Sequence, residues 1–290
     1  MARIALALMW LLHFLPLAVL ARIGDGLGEV LFVVGRARRR VALTNLALCM
    51  PAISESERRL LARRHFRGVA RSLLERGILW WGSAERIHSI VRFEDEANWR
   101  AVTDRPVIFL VPHFVGFEAG GFRFNTEHPV ASMYSKQRNP AFDAAFLRAR
   151  LRFKTAKMFS RQDGVRNIVR SLREGLPFIY LPDMDFGPRD AVFVPFFGVQ
   201  AATITGLARL TAISKAVVVP LITRQLPGGE GYVARFYPAW ENFPSGDDIA
   251  DARRMNAFIE ARVREMPEQY YWVHKRFKTR PEGEPAIYDR

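Results

Sequence analysis

From residue 106 onward, short apolar runs alternate with stretches of helical periodicity, which restricts this part of the chain to a layered α/β architecture. PVIFLVP (106–112) is nearly continuous in apolar character, as expected of a strand covered on both faces. VASMYSKQ (130–137) reads as a second strand. Residues 139–153 then form an amphipathic helix with Phe142, Ala145, Phe146, Ala149 and Phe153 on one side. A further helix is expected over 164–174, with Val165, Ile168, Val169 and Leu172 inward and Gly175 as its stop. PFIYLPD (177–183) and AVFVPFFG (191–198) continue the alternation, followed by a helix through TITGLARLTAISKA (203–216). VVVPLITRQL and GYVARFYPAW read as strands joined by PGGEG (227–231), a hairpin connection. A closing helix spans 248–266. The fold class expected is α/β, a mixed and partly parallel sheet flanked by helices.

The N-terminal segment has a different character. IALALMWLLHFLPLAVLA (4–21) carries no formal charge and is interrupted only by His13 and Pro16. Its length is at the lower limit for a membrane span, and proline is tolerated in lipid, so a retained transmembrane anchor is expected over 1–24. The rival readings are a surface-lying or buried helix, or a cleaved signal peptide ending at VLA (19–21). GRARRR (35–40) follows closely, and by the positive-inside rule holds what comes after it in the cytoplasm. A basic helical, membrane-proximal arm is expected over 25–100 and an α/β catalytic domain over 101–290. Within the arm, Ser54 and Glu57 form a capping-box pattern at the head of a helix over 54–79. Trp80 and Trp81 suit either a core or a membrane interface.

Net charge bears on function. The excess of +14 points to an anionic partner: a membrane surface, a nucleic acid, or an acidic protein or substrate. The single cysteine, Cys49, excludes an internal disulfide and any cysteine-based metal cluster. Hydrophobic content of 49% with 25% charged residues argues against disorder.

The candidate chemistry lies in VPHFVGFEAG (111–120), where His113 stands five positions before Glu118. Within one regular helix these side chains would point about 140° apart. They can meet if His113 ends a strand and Glu118 opens the next helix, with Gly116 freeing the turn. A carboxylate accepting one imidazole N–H fixes the tautomer and strengthens the other nitrogen as a base. The competing reading of His113 is a buried, satisfied histidine. No G-x-S-x-G elbow, H-E-x-x-H, G-x-G-x-x-G or P-loop pattern occurs, so no metal or cofactor is expected.

HFVGFE matches the H-x₄-D/E motif of glycerolipid-type acyltransferases. MYSKQRNPAFD (133–143), LPDMDFGPRDAVFVPFFG (181–198), AATITGLARLTAISKAVVVP (201–220) and PEQYYWVHKRFKTRPEG (267–283) resemble specifically the late acyltransferases of lipid A biosynthesis, the lauroyl/myristoyl transferases. The resemblance runs nearly end to end. It implies a membrane-bound O-acyltransferase of glycerolipid-acyltransferase-like fold at the cytoplasmic face of a bacterial inner membrane. The implied donor is acyl carrier protein and the acceptor a hydroxyacyl chain of a Kdo-bearing lipid A precursor, with anionic lipids but no nucleic acid as further partners. His113 becomes the general base and Glu118 its partner. Asp183, Asp185, Arg189, Lys136, Arg138 and Arg161 become substrate-binding candidates, Arg189 because its planar fork suits phosphate or carboxylate. A salt bridge from Arg189 to Asp183 or Asp185 is the plainer alternative.

This chain departs from many relatives in carrying Ser135 where they have arginine. Arg166, Arg170 and Arg173 recur on one helical face, a solvated stripe or a dock for the acidic carrier protein. Phe114, Phe117, Phe122 and Phe124 are candidates for an acyl-pocket wall. His274 is read as packing or a headgroup contact. Alternatives are a glycerolipid or lysophospholipid acyltransferase, a thioesterase using water, and a non-enzymatic binder of anionic lipid or nucleic acid.

Overall fold

The N-terminal third is helical because its apolar residues recur at helical spacing and its breaks fall at Pro16, Gly35, Pro51 and Gly82. The computed structural model describes residues 2–160 and 163–288. Helices α1 (Ala2–Leu12), α2 (Leu17–Val34), α3 (Arg36–Cys49), α4 (Glu55–Trp81) and α5 (Ala84–Ile90) come first. Strand β1 (Val91–Glu94), α6 (Ala97–Arg100), β2 (Val107–Leu110), α7 (Phe117–Glu127), β3 (Val130–Met133) and α8 (Pro140–Arg150) follow. Then come β4 (Ala156–Phe159), α9 (Val165–Arg173), β5 (Phe178–Tyr180), β6 (Ala191–Phe196) and β7 (Val199–Ile204). The chain closes with α10 (Gly206–Ser214), β8 (Val217–Gln225), β9 (Tyr232–Phe236) and α11 (Asp248–Glu265).

Seven strands form one sheet in the order β1-β9-β8-β2-β5-β3-β4. Every neighbouring pair is parallel except β8–β9, the hairpin expected across PGGEG. The fold is thus α/β with a mixed, mostly parallel sheet flanked by helices. Alternation along the strands divides the core. Ile108 and Leu110 of β2 face one layer with Ile168, Leu210 and Ile259, while Phe109 faces the other with Phe122, Phe124 and Trp99. Helices α2–α4 share the first layer through Phe32, Leu46 and Phe66, so the basic helices and the sheet are built on a common core. The capping box forms: Ser54 Oγ accepts from the Glu57 amide at 3.2 Å, and Glu57 Oε2 accepts from the Ser54 amide at 2.7 Å.

The expected transmembrane anchor is corrected. Among the described residues no helix is long and apolar enough to cross a membrane. Residues 13–15 leave the helix ahead of Pro16, so the apolar stretch is divided between two helices. The 11 residues of α1 span only about 16 Å, against roughly 30 Å of hydrocarbon. Helix α2 carries Arg22, Asp25 and Glu29, and Glu29 is held by Arg63 (2.6 Å) and Arg67 of α4. Gly24 and Gly28 let the two helices approach closely, since a Cβ at either would strike the backbone of Arg71 or Arg67. Trp80 is buried against Phe142 and Phe146, which settles it as core. Thr203 and Ile204, expected to open the helix over 203–216, instead end strand β7, which pairs antiparallel with β6 outside the main sheet.

Candidate active site

The register of the central strands brings the decisive side chains together. Leu110 ends β2 opposite Tyr180, which ends β5, and three residues past each strand end stands a key group: His113 after one, Asp183 after the other. His113 Nδ1 lies 2.7 Å from Asp183 Oδ1, and the His113 backbone amide donates to Asp183 Oδ2 at 2.9 Å. The carboxylate therefore grips ring and main chain at once. This leaves Nε2 for the cavity that His113 lines. The segment is pinned from behind, as the Tyr271 amide donates to the His113 carbonyl and the Val115 amide to that of Gln269.

Asp183 is nearly inaccessible. Burial pushes its carboxyl up, but the charge of the His113 imidazole, its ring hydrogen bond, the His113 backbone amide and then Arg276 hold it below the usual value. Burial raises the Tyr270 hydroxyl well above its normal range, and the neighbouring Asp183 charge adds to that. Tyr270 thus keeps its proton beside the carboxylate. His274, also beside this cluster, is pulled down to about 4, chiefly by burial, so near neutrality it is uncharged. Its Nε2 accepts from the Asp185 amide at 3.1 Å.

The expected His113–Glu118 dyad is corrected: the carboxylate on the imidazole belongs to Asp183. Glu118 does open α7, but its carboxylate is taken by Arg76 of α4 (2.7 Å) and Arg150 of α8 (2.8 Å). Burial would raise it, yet the two guanidiniums outweigh that and leave it below its ordinary value. Gly116 is also used differently from expectation. Its φ of −93° is open to any residue, while a Cβ there would lie 2.8 Å from the Tyr232 ring.

The remaining candidates divide. Asp185 is spent on protein, accepting from the Thr279 amide (2.6 Å), the Thr279 hydroxyl (2.8 Å) and the Gly187 amide (2.9 Å). Arg189 has a side chain 95% exposed and, among the described residues, pairs with Asp190 at 3.8 Å and not with Asp183 or Asp185. Lys136 and Arg138 are exposed on the loop after β3, and neither lines the cavity beside His113. Ser135 does line it. Arg161 lies outside the described residues. Of the phenylalanines, Phe117 faces the cavity, whereas Phe114 and Phe124 are fully buried in packing.

That cavity, about 650 Å³, opens at the carboxyl ends of β2, β5 and β3, where parallel α/β sheets characteristically bind ligands. Apolar side chains dominate its wall: Phe117 and Phe146 from one face of the sheet, Ile168, Leu210 and Ile213 from the other. Arg150 and Arg209 supply cationic groups. Sequence reasoning missed Arg76, Arg150, Arg209, Tyr270 and Arg276. Of these, Arg209 lay in AATITGLARLTAISKAVVVP, and Tyr270 and Arg276 in QYYWVHKRFKTRP, stretches singled out in advance without naming them.

A histidine gripped by a buried carboxylate beside a largely apolar cavity is an arrangement suited to proton transfer on an apolar substrate. Comparison narrows that chemistry. Residues 1–279 match the family described as bacterial lipid A biosynthesis acyltransferase, and the chain belongs to it. The lipid A biosynthesis lauroyltransferase of Escherichia coli K12 is 35% identical over 98% of this chain and 94% of its own. The palmitoleoyltransferase of the same organism is 31% identical (98% and 92%), and its myristoyltransferase 32% (94% and 84%). The protein is accordingly an acyltransferase of lipid A biosynthesis. A solved structure, the 1-acyl-sn-glycerophosphate acyltransferase of Thermotoga maritima, aligns at 11% identity and a TM-score of 0.40 over 87% of this chain and 97% of that one, a likeness too distant to build on.

Proposed function

We propose that the enzyme moves a fatty acyl chain from an acyl carrier protein thioester to the hydroxyl of a hydroxyacyl chain on a Kdo-bearing lipid A precursor. The observation that carries this reading is the 2.7 Å contact between His113 and Asp183 at the edge of an apolar cavity large enough for lipid chains. His113 Nε2 takes the acceptor's hydroxyl proton as that oxygen attacks the thioester carbon. The ionised Asp183 stabilises the imidazolium that results. Collapse of the tetrahedral adduct breaks the carbon–sulfur bond, and the same imidazolium returns its proton to the departing thiolate. The products are an ester and a free carrier thiol. Arg166, Arg170 and Arg173, all exposed on α9, supply a cationic face suited to an acidic carrier.

Purified enzyme supplied with carrier-bound acyl donor and Kdo-bearing acceptor is expected to yield the added ester by mass spectrometry. His113→Ala should reduce its formation at least about 10²-fold. Equal ester formation by the variant would remove His113 from the chemistry.

The enzyme meets the membrane, in this reading, by lying on it. Ile4, Leu8 and Leu11 of α1 recur on one helical face and are exposed, as are Phe14 and, on α2, Ile23, Val30 and Val33. Exposed Arg3, Arg22 and Arg36 stand among them, each worth about 1 kcal/mol beside anionic headgroups. An apolar face bordered by arginines suits interfacial docking rather than spanning. Flotation with anionic vesicles is expected to capture the protein. Leu11→Glu combined with Phe14→Glu should cut the bound fraction at least about tenfold, given roughly 1.5–3 kcal/mol for each buried side chain. Undiminished flotation of that variant would exclude this face.

A further inference from the structure

Glycine inside a helix costs about 1 kcal/mol relative to alanine, so two in succession on α7 call for a reason. Gly120 has one: a Cβ there would collide with the Thr223 hydroxyl. Gly121 has no such obstacle. A Cβ at Gly121 would meet only the end of the Ile179 side chain, at 3.3 Å, and its φ is not in the left-handed region. Gly121 lines a cavity.

A second cavity of about 50 Å³ runs along α7 behind the main chamber. It shares Phe117, Glu118, Arg150, Ile179 and Leu181 with the chamber and extends beyond them to Gly121, Phe122, Val130 and Met158. Ser132, Asn125 and Glu118 on its wall each have protein partners. Ser132 donates to the Ile179 carbonyl at 3.2 Å, and Asn125 to the carbonyls of His128 and Lys154, each at 3.2 Å. Glu118 is occupied by Arg76 and Arg150. Phe117, Phe122, Val130, Met158, Ile179 and Leu181 make most of its wall apolar, so the slot is suited to hydrocarbon. Its volume takes about two methylene groups, if each occupies roughly the 30 Å³ of a liquid water.

We infer that this slot receives the methyl end of the donor's acyl chain, and that Gly121 helps set the chain length transferred by leaving the slot open. The inference rests on the acyl-transfer reading above. A slot running off the chamber along one helix suits a single chain that enters tail first. The acceptor, held in place by its other chains and its headgroup, needs a site open at the side.

The test is Gly121→Leu assayed with carrier-bound donors of graded length and a fixed acceptor. The preferred donor should shorten by about two carbons, with selection against the wild-type chain of about 10–200-fold in kcat/KM per methylene excluded. Met158→Ala widens the same slot and is expected to shift the preference towards longer donors, which keeps the test decisive should the leucine variant fold poorly. Wild-type donor preference in both variants overturns the inference. Absence of transfer by the wild-type enzyme from every donor would count against the acyl-transfer reading itself.

Discussion

Asp183→Asn is expected to lower acyl transfer by about 10²–10⁴-fold while the chain still folds. The carboxylate accepts from both the ring Nδ1 and the main-chain amide of His113, at 2.7 and 2.9 Å. A carboxamide can reproduce only one of those acceptances, because its nitrogen is itself a donor. The imidazole is then free to adopt the other tautomer, which places its proton on Nε2, the nitrogen required as base. The negative charge that would steady the imidazolium is lost as well. Steady-state rates measured on protein with wild-type circular dichroism would show the loss. A rate within about tenfold of wild type would leave Asp183 with no chemical part.

Glu118→Gln is expected to act on stability instead, costing about 3 kcal/mol in chemical unfolding. Its carboxylate is buried between the guanidiniums of Arg76 and Arg150, and removing that charge leaves two cations facing an uncharged amide away from water. The pH dependence has a definite sign. The Glu118 carboxyl lies below its ordinary value of 4.5, so its contribution is complete above pH 4.5 and is lost as the pH falls through the lower folded value. The glutamine variant lacks that portion of acid sensitivity, and its stability should fall less steeply than wild type below pH 4.5. A loss of activity as large as that of Asp183→Asn, with unaltered stability, would return Glu118 to the role its spacing first suggested.

The fold was legible wherever local chemistry is strong. PGGEG could only be a tight reversal between β-rich runs, and Ser54 with Glu57 could only head a helix. Strand β7 was not legible, because its Ala-Ala-Thr centre has little apolar pattern and it is a strand only through pairing with β6. The anchor expectation failed for a related reason. Apolar content made α1 and α2 look membrane-spanning, but Gly24, Gly28 and Glu29 matter through their fit to α4, and that fit is a tertiary fact. His113 was found from its place after an apolar run. Its partner was misassigned because five residues of local spacing were weighed, whereas the true partner lies 70 residues away. One signal was present. PVIFLVPH and PFIYLPD each place a chemical group shortly after an apolar run, and parallel neighbouring strands put such positions side by side.

The most direct measurement is a double-mutant cycle on ester formation, comparing wild type, His113→Ala, Asp183→Asn and the combined variant under one set of conditions. If the carboxylate works only through the imidazole, the combined variant will be no slower than His113→Ala alone. Losses that multiply, so that removing Asp183 still slows an enzyme already lacking the imidazole, would mean that these groups do not act as one unit.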